Sequence, residues 1–283
     1  MRITRLKRRS AAILAVATVG AVAVAGIAMG SGATENTSSL TGSEFRPTAL
    51  PFNTFKNGTL FVHTRTDYGN PGNFNAGGAV ERTRLYFDDD GRVNVNATPR
   101  CNPSQLAGNI TMKTAMARCG SSKVSISPSK AQAIVPGPTD FVVNGCVLVF
   151  NGANNAAGQP TSLVFTRVQV ASPPNNTINC SNPAQNENGN TSILLKGIIK
   201  PNPSDVPGTT ADGDFTGGKM VDYDHITDAA DIPLHDFQVT VNKGSYLQAR
   251  CHDADKRLNI RGKFTYNDGT SDLAGASKAC TIG

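Results

Sequence analysis

Between Leu234 and Cys280 the chain reads LHDFQVTVNKGSYLQARCHDADKRLNIRGKFTYNDGTSDLAGASKAC, and apolar side chains alternate with polar ones in two runs. Phe237, Val239 and Val241 form the first run; Leu258, Ile260, Phe264 and Tyr266, with Gly262 in register, form the second. A period of two is that of a strand with one buried face. Asp268-Gly269 then turns the second run into a hairpin, because glycine reaches positive φ without a Cβ clash. Cys251 and Cys280 bracket that hairpin and are placed to tie its far ends together. The stretch implies an antiparallel β protein braced by sulfur.

The N-terminal residues are set apart by composition. Arg2, Arg5, Lys7, Arg8 and Arg9 precede an unbroken small and apolar run from Ala11 to Met29. Basic start, apolar middle and small residues at Ala23-Val24-Ala25 or Ser31-Gly32-Ala33 are the parts of a secretory signal peptide. The run is also about the roughly 20 residues that cross a bilayer, so a retained anchor is the rival expectation. Five of the 27 basic residues and none of the 21 acidic ones lie in residues 1–33, which leaves the remainder at a net charge of +1. That balance gives no electrostatic case for nucleic acid or an anionic membrane surface as partner. The expectation is a secreted, extracellular protein with no membrane span after cleavage, an unknown extracellular ligand and an oligomeric state that composition does not fix.

The six cysteines, an even number in a chain expected to be exported, point to disulfides rather than zinc or a reactive thiol. Of the possible connectivities the local one is favoured: Cys101–Cys119, Cys146–Cys180 and Cys251–Cys280, each pair bracketing one supersecondary unit. Cys180 lies far beyond the hairpin it would close.

Along the rest of the chain, residues 34–56 read as a flexible arm, and a single domain is expected over 57–283. Strands are predicted at Thr59–Asp67, at Arg82–Phe87 returning through Asp89-Asp90-Gly91 into Arg92–Val95, at Lys123–Ser127 and Lys130–Val135, and at Phe141–Phe150. Further strands are expected at Ser162–Val170, at Ser192–Lys200, and at Lys219–Ile226 as a sheet edge. The stretch Cys101–Gly120 carries one helix, since Met112, Ala115, Met116 and Cys119 share a helical face. Asn109 or Thr111 suits its start and Gly120 its end. The fold class is therefore all-β, mainly antiparallel: a single β-sandwich or jelly-roll-like domain, or an open barrel, with one short helix.

Candidate chemistry is sparse. Eight aspartates between residues 201 and 236 are offset by Lys219 alone. Carboxylates in irregular loops suit Ca²⁺, which makes Asp212, Asp214, Asp222 and Asp224 calcium candidates, although their spacing follows no EF-hand series. Solvated acidic loop is the plainer reading, and no other cofactor is implied. Asp88-Asp89-Asp90-Gly91 is explained equally well by the preferences of a turn. His63, His225, His235 and His252 stand at no metal-ligand spacing, and neighbours such as His235-Asp236 point to opposite faces of a strand. No G-x-S-x-G elbow occurs. The expectation is a non-enzymatic binding or envelope-associated protein. Its rivals are a hydrolase using aspartates of the 201–236 segment and a calcium-stabilised adhesin-like module.

Four stretches in order, LYFDDDGRVN, PRCNPSQL…TMKTAMARCGSSKV, LVFNG…GQPTSLVFTRVQV and DFQVTVNKGSYLQARC…LNIRGKFTYNDGT, resemble a family of uncharacterised secreted bacterial proteins. The likeness spans roughly residues 45–280. It implies a β-rich exported domain and carries no catalytic residue or ligand with it. Cys146 and Cys180 look like additions to that pattern.

Overall fold

The computed structural model describes residues 36–68, 79–135, 141–169, 180, 189–207, 215–224, 226 and 234–283. The leader, His225, Asp212 and Asp214 fall outside them. In chain order the strands are β1 (Thr37–Arg46), β2 (Ala49–Leu50), β3 (Lys56–Asn57), β4 (Thr59–Asp67), β5 (Val80–Phe87) and β6 (Gly91–Val93). After helix α1 (Met112–Cys119) come β7 (Ser125–Val135), β8 (Phe141–Gly152), β9 (Thr161–Val168), β10 (Thr191–Pro201) and β11 (Lys219–Tyr223). The chain finishes with β12 (Leu234–Val241), β13 (Leu247–Ala249), β14 (Arg257–Tyr266), β15 (Ser271–Ala279) and β16 (Thr281–Ile282).

Eleven of these join in one antiparallel sheet, ordered β1-β4-β12-β7-β8-β9-β10-β11-β5-β14-β15. The sheet curls until its edge strands β1 and β15 lie against each other. Among the described residues no ladder joins those edges. Side-chain bonds close the seam at Ser38, whose N–H donates to Asp272 Oδ2 (2.6 Å) and whose Oγ lies 2.7 Å from Tyr266 Oη; within the β1–β4 ladder the same hydroxyl lies 2.9 Å from Thr66 Oγ1. The all-β, antiparallel, disulfide-braced class expected from the sequence is what forms, in a near-barrel arrangement. The helix forms as well, with Thr111 Oγ1 accepting from Thr114 N–H and Gly120 at its end.

The barrel has an apolar inside and, beyond one covered patch, a polar outside. Alternation turns Leu60, Val62, Val147, Val149, Val164, Val239, Leu258 and Ile260 inward to one core. The reverse faces of β8 and β9 are apolar too, because α1 lies over them. Met112, Ala115 and Cys119 pack there with Leu148, Phe150, Leu163 and Phe165. All eight residues of β9 are therefore buried. Burying each of the two phenylalanines contributes roughly 1.5–3 kcal/mol. A small sheet, β3-β13-β6, covers one end of the barrel and puts Val93, Leu247 and Ala249 against the core.

All three expected disulfides form, with Cα–Cα separations of 5.4 Å for Cys101–Cys119, 5.3 Å for Cys146–Cys180 and 6.0 Å for Cys251–Cys280.

Three expectations are corrected. Residues 36–56 are no loose arm, for β1 pairs along its length with β4, and Phe45 and Leu50 are buried. A register shift between Leu40 and Gly42 breaks the two-residue period and hides the strand. The tract beginning at Lys219 is no edge, since β11 lies between β10 and β5. Finally, β5 and β6 do not form a hairpin; β5 pairs with β11 and β14, whereas β6 leaves the barrel to pair with β13.

Candidate functional site in the barrel interior

Eight strands make a barrel that side chains just fill, and diameter grows with strand number. Eleven strands curled round one lumen enclose more space than that. Several inward positions are also small: Ala131 and Ala133 on β7, Gly197 on β10, Gly262 on β14, Ala274 and Ala276 on β15. Among the described residues four adjoining spaces line up inside the barrel. Below the β3-β13-β6 cover is one of about 50 Å³, walled by Phe45, Leu60, Phe87, Leu247, Leu258 and Ile260. It shares Leu60, Phe87, Val93 and Leu247 with a central space of about 90 Å³. Leu85, Val164, Tyr223 and Phe237 separate the centre from a third of about 50 Å³. The fourth, of about 40 Å³, shares Leu195, Ile226, Leu234 and Phe237 with the third.

Polar groups in these walls are few. Tyr223 Oη donates to Ser162 Oγ (3.0 Å), and burial pushes the phenol up to about 12, so it stays neutral. Thr64 and Thr83 put hydroxyls in the third wall, and Thr166 puts one in the fourth. The covered end is the more polar one: its wall also holds Asp88, Arg92, Lys219, Gln248, Asn259 and Lys278. An apolar, pre-formed concavity with a few hydrogen-bonding groups is the general form of a small-molecule site.

The aspartates of the 88–90 turn are structural fastenings beside that end. Asp88 Oδ2 accepts from the backbone N–H of Asn259, and burial pushes its carboxyl up to about 8, with the neighbouring aspartates acting in the same sense. Asp90 is fully buried; its Oδ1 accepts from Arg250 Nε (2.9 Å) and its Oδ2 from the N–H groups of His252 (2.7 Å) and Asp253 (3.1 Å). Asp90, His252 and Asp253 each bring a metal-capable atom within 4.8 Å of the others. Both oxygens of Asp90 already serve protein donors, one a guanidinium that would repel a cation. The cluster therefore reads as the pin that draws the 250–253 segment against the turn.

Of the calcium candidates, Asp222 sits on the outer face of β11 among cations. Arg82 reaches it through Nε (2.8 Å) and Nη2 (2.7 Å), Lys200 through Nζ (2.7 Å), and Arg84 Nε lies 3.4 Å away. Burial alone would raise this carboxyl, yet hydrogen bonds from Arg82 and Lys200 hold it at about 2. Asp224 lies 3.3 Å from Arg82 Nη1. These surroundings suit a saturated ion-pair network rather than a Ca²⁺ site.

Nor do the described aspartates of 201–236 converge. Asp222 lies on β11, whereas Asp236 lies on β12 beside β4, and its carboxylate meets His63 Nε2 at 2.7 Å. As alternation along a strand requires, the adjacent His235 turns elsewhere, to Thr66 O (2.8 Å), and the partner of Asp236 is 173 residues away. The other group at hydrogen-bond range of His63 among the described residues is Gln238 (3.4 Å), which supplies no nucleophile.

What the sequence reading missed is the lumen and its two lysines. Lys219 and Lys278 fall in phase with Val221 and Tyr223 and with Ala274 and Ala276, so alternation did mark them as inward, but only once the strand pairing is known. Compared with known proteins, the chain matches no protein family, no curated protein and no solved structure.

Proposed function

We propose that this chain is an exported, non-enzymatic carrier or sensor that takes a small apolar molecule into the barrel. The observation that supports this best is the row of four adjoining spaces with apolar walls inside one curled sheet. Burying apolar surface in such a site contributes about 25 cal/mol per Å². The polarity pattern agrees, since charged residues such as Arg82, Lys200 and Asp222 lie on the outside. A membrane-spanning barrel reverses that order. No helix among the described residues is long and apolar enough to cross a membrane. Export draws on the three disulfides and the leader-like N-terminus. Membership of the secreted bacterial family that the sequence resembles belongs to the same proposal.

Titration with the neutral dye N-phenyl-1-naphthylamine tests it. Saturable fluorescence enhancement at one dye per chain is expected, and Val164→Phe, which fills the wall between the second and third spaces, is expected to abolish it. A folded protein that leaves the dye dark overturns the proposal.

A further inference from the structure

The covered end of the lumen differs from the rest in charge. Its walls are apolar at Phe45, Leu60, Phe87, Leu258 and Ile260, yet Lys219 and Lys278 are half-buried among them. Their placement follows from the pairing. Lys219 lies opposite Phe87 across β11 and β5, Phe87 opposite Ile260 across β5 and β14, and Leu258 opposite Lys278 across β14 and β15. The lysines thus flank an apolar patch three strand spacings wide and stand offset by two residues along the strands, about 16 Å between backbones. Each carries a flexible four-carbon stem, which lets both ammonium groups converge over the middle of the patch.

Neither lysine has a carboxylate at ion-pair distance among the described residues. Glu44 is near enough to feel Lys278, but it is bound to Arg46 (2.9 Å), the main cause of its lowered carboxyl. Asp88 lines the same wall, and burial, which pushes it up to about 8, leaves it largely uncharged at neutral pH. Arg92, the third cation in this wall, is taken up by Gln248 (3.1 Å from Nε) and by the face of Phe55. The two lysines over an apolar floor, with Asp88 neutral beside them, match one kind of molecule.

We infer that the ligand of the lumen is an acidic amphiphile, its anionic head held between Lys219 and Lys278 and its apolar tail running down past Phe87, Val93 and Leu247 into the central space. The inference rests on the reading of the lumen as a ligand site, and it adds the chemical class of the guest. A charge-assisted hydrogen bond outweighs a neutral one roughly twofold in strength, whereas lysines that merely drape their stems over apolar surface make no such distinction.

Decanoate and 1-decanol, equal in tail and different in charge, are the probes, each measured by displacement of N-phenyl-1-naphthylamine from the full chain at pH 7. Decanoate is expected to bind at least about tenfold more tightly than the alcohol, the scale of a hydrogen bond to a charged group. Lys219→Gln/Lys278→Gln is expected to erase that preference and leave 1-decanol unchanged; the two single variants, read in the same way, each lose part of it. Equal binding of both probes to the wild-type chain overturns the inference while the lumen stands as a ligand site. A preference for decanoate that survives in the double variant, or in both single variants should the double fail to fold, also overturns it. Binding of neither probe, nor of the dye, removes the lumen reading itself and the inference with it.

Discussion

Tyr223 lies so close over Gly197 that a β-carbon on the glycine would stand 2.6 Å from the Cε1 of its ring. The two residues face each other directly across β10 and β11. The missing side chain on one strand is thus the seat of the aromatic on the next, and that seating presents Tyr223 Oη to Ser162 Oγ. Gly197→Ala is expected to dislodge the ring and cost about 1–3 kcal/mol, the usual scale of overpacking. A drop in Tm together with weaker dye binding checks it, since the ring walls two of the spaces.

Asp222 predicts how the molecule answers acid. Its carboxyl titrates near 2 in the folded chain against an ordinary 3.8. A lowered acid contributes stability above the unfolded value, and that contribution disappears as pH falls from about 4 toward 2. The difference corresponds to about 2 kcal/mol. Asp222→Asn should therefore unfold more easily than wild type at pH 7 and by a much smaller margin at pH 2, measured by denaturant titration at both values.

Asp88 has the opposite sign. Its folded carboxyl is raised from 3.8 to about 8 by burial, so the native state holds a proton that the unfolded chain releases. Stability from this group is full below about pH 4 and declines as pH rises toward 8. In Asp88→Asn the amide oxygen still accepts from Asn259 N–H, and the decline should vanish. The variant is expected to exceed wild type at pH 8 by at least about 1 kcal/mol, with the two converging near pH 4.

Opening the Cys251–Cys280 bridge, which spans a sequence separation of 29, should cost about 3–4 kcal/mol by the chain-entropy relation. Cys251→Ala/Cys280→Ala measured by thermal unfolding gives the figure. Because Cys251 and Cys280 belong to the barrel core, the loss is expected to lower dye affinity as well.

Chelation should leave the protein unaltered. Asp222 is engaged by Arg82 and Lys200, and Asp90 by Arg250, so among the described residues cations of the protein already occupy these two buried carboxylates. Melting curves with EDTA and with added Ca²⁺ are expected to superimpose; a chelator-dependent fall would restore the calcium reading.

The parts that sequence made legible are those encoded over a few residues. Alternation at Phe237, Val239 and Val241 and at Leu258–Tyr266 marked inward faces, and the shared face of Met112, Ala115 and Cys119 marked the helix. Long-range determinants were not legible. The DDDG turn has local hairpin preferences, but Asp88 and Asp90 bind Asn259, His252 and Asp253, more than 160 residues away. Those bonds direct β6 off the sheet. Strand β15 reads SDLAGASKA, whose inward Ala274 and Ala276 differ too little from its outward residues to announce a buried face. The lumen follows from how many strands close into one wall, a quantity that no short window contains.

Edge strands normally invite a neighbouring molecule to extend the sheet, through amide and carbonyl groups left without a ladder. Here β1 and β15 lie against each other, and Ser38 of β1 ties the two sides of the seam, donating its N–H to Asp272 of β15 and placing its hydroxyl against Tyr266 of β14. Each edge thus takes up the space beside the other that an incoming strand would need, although the side chain of Leu273 on β15 stays exposed.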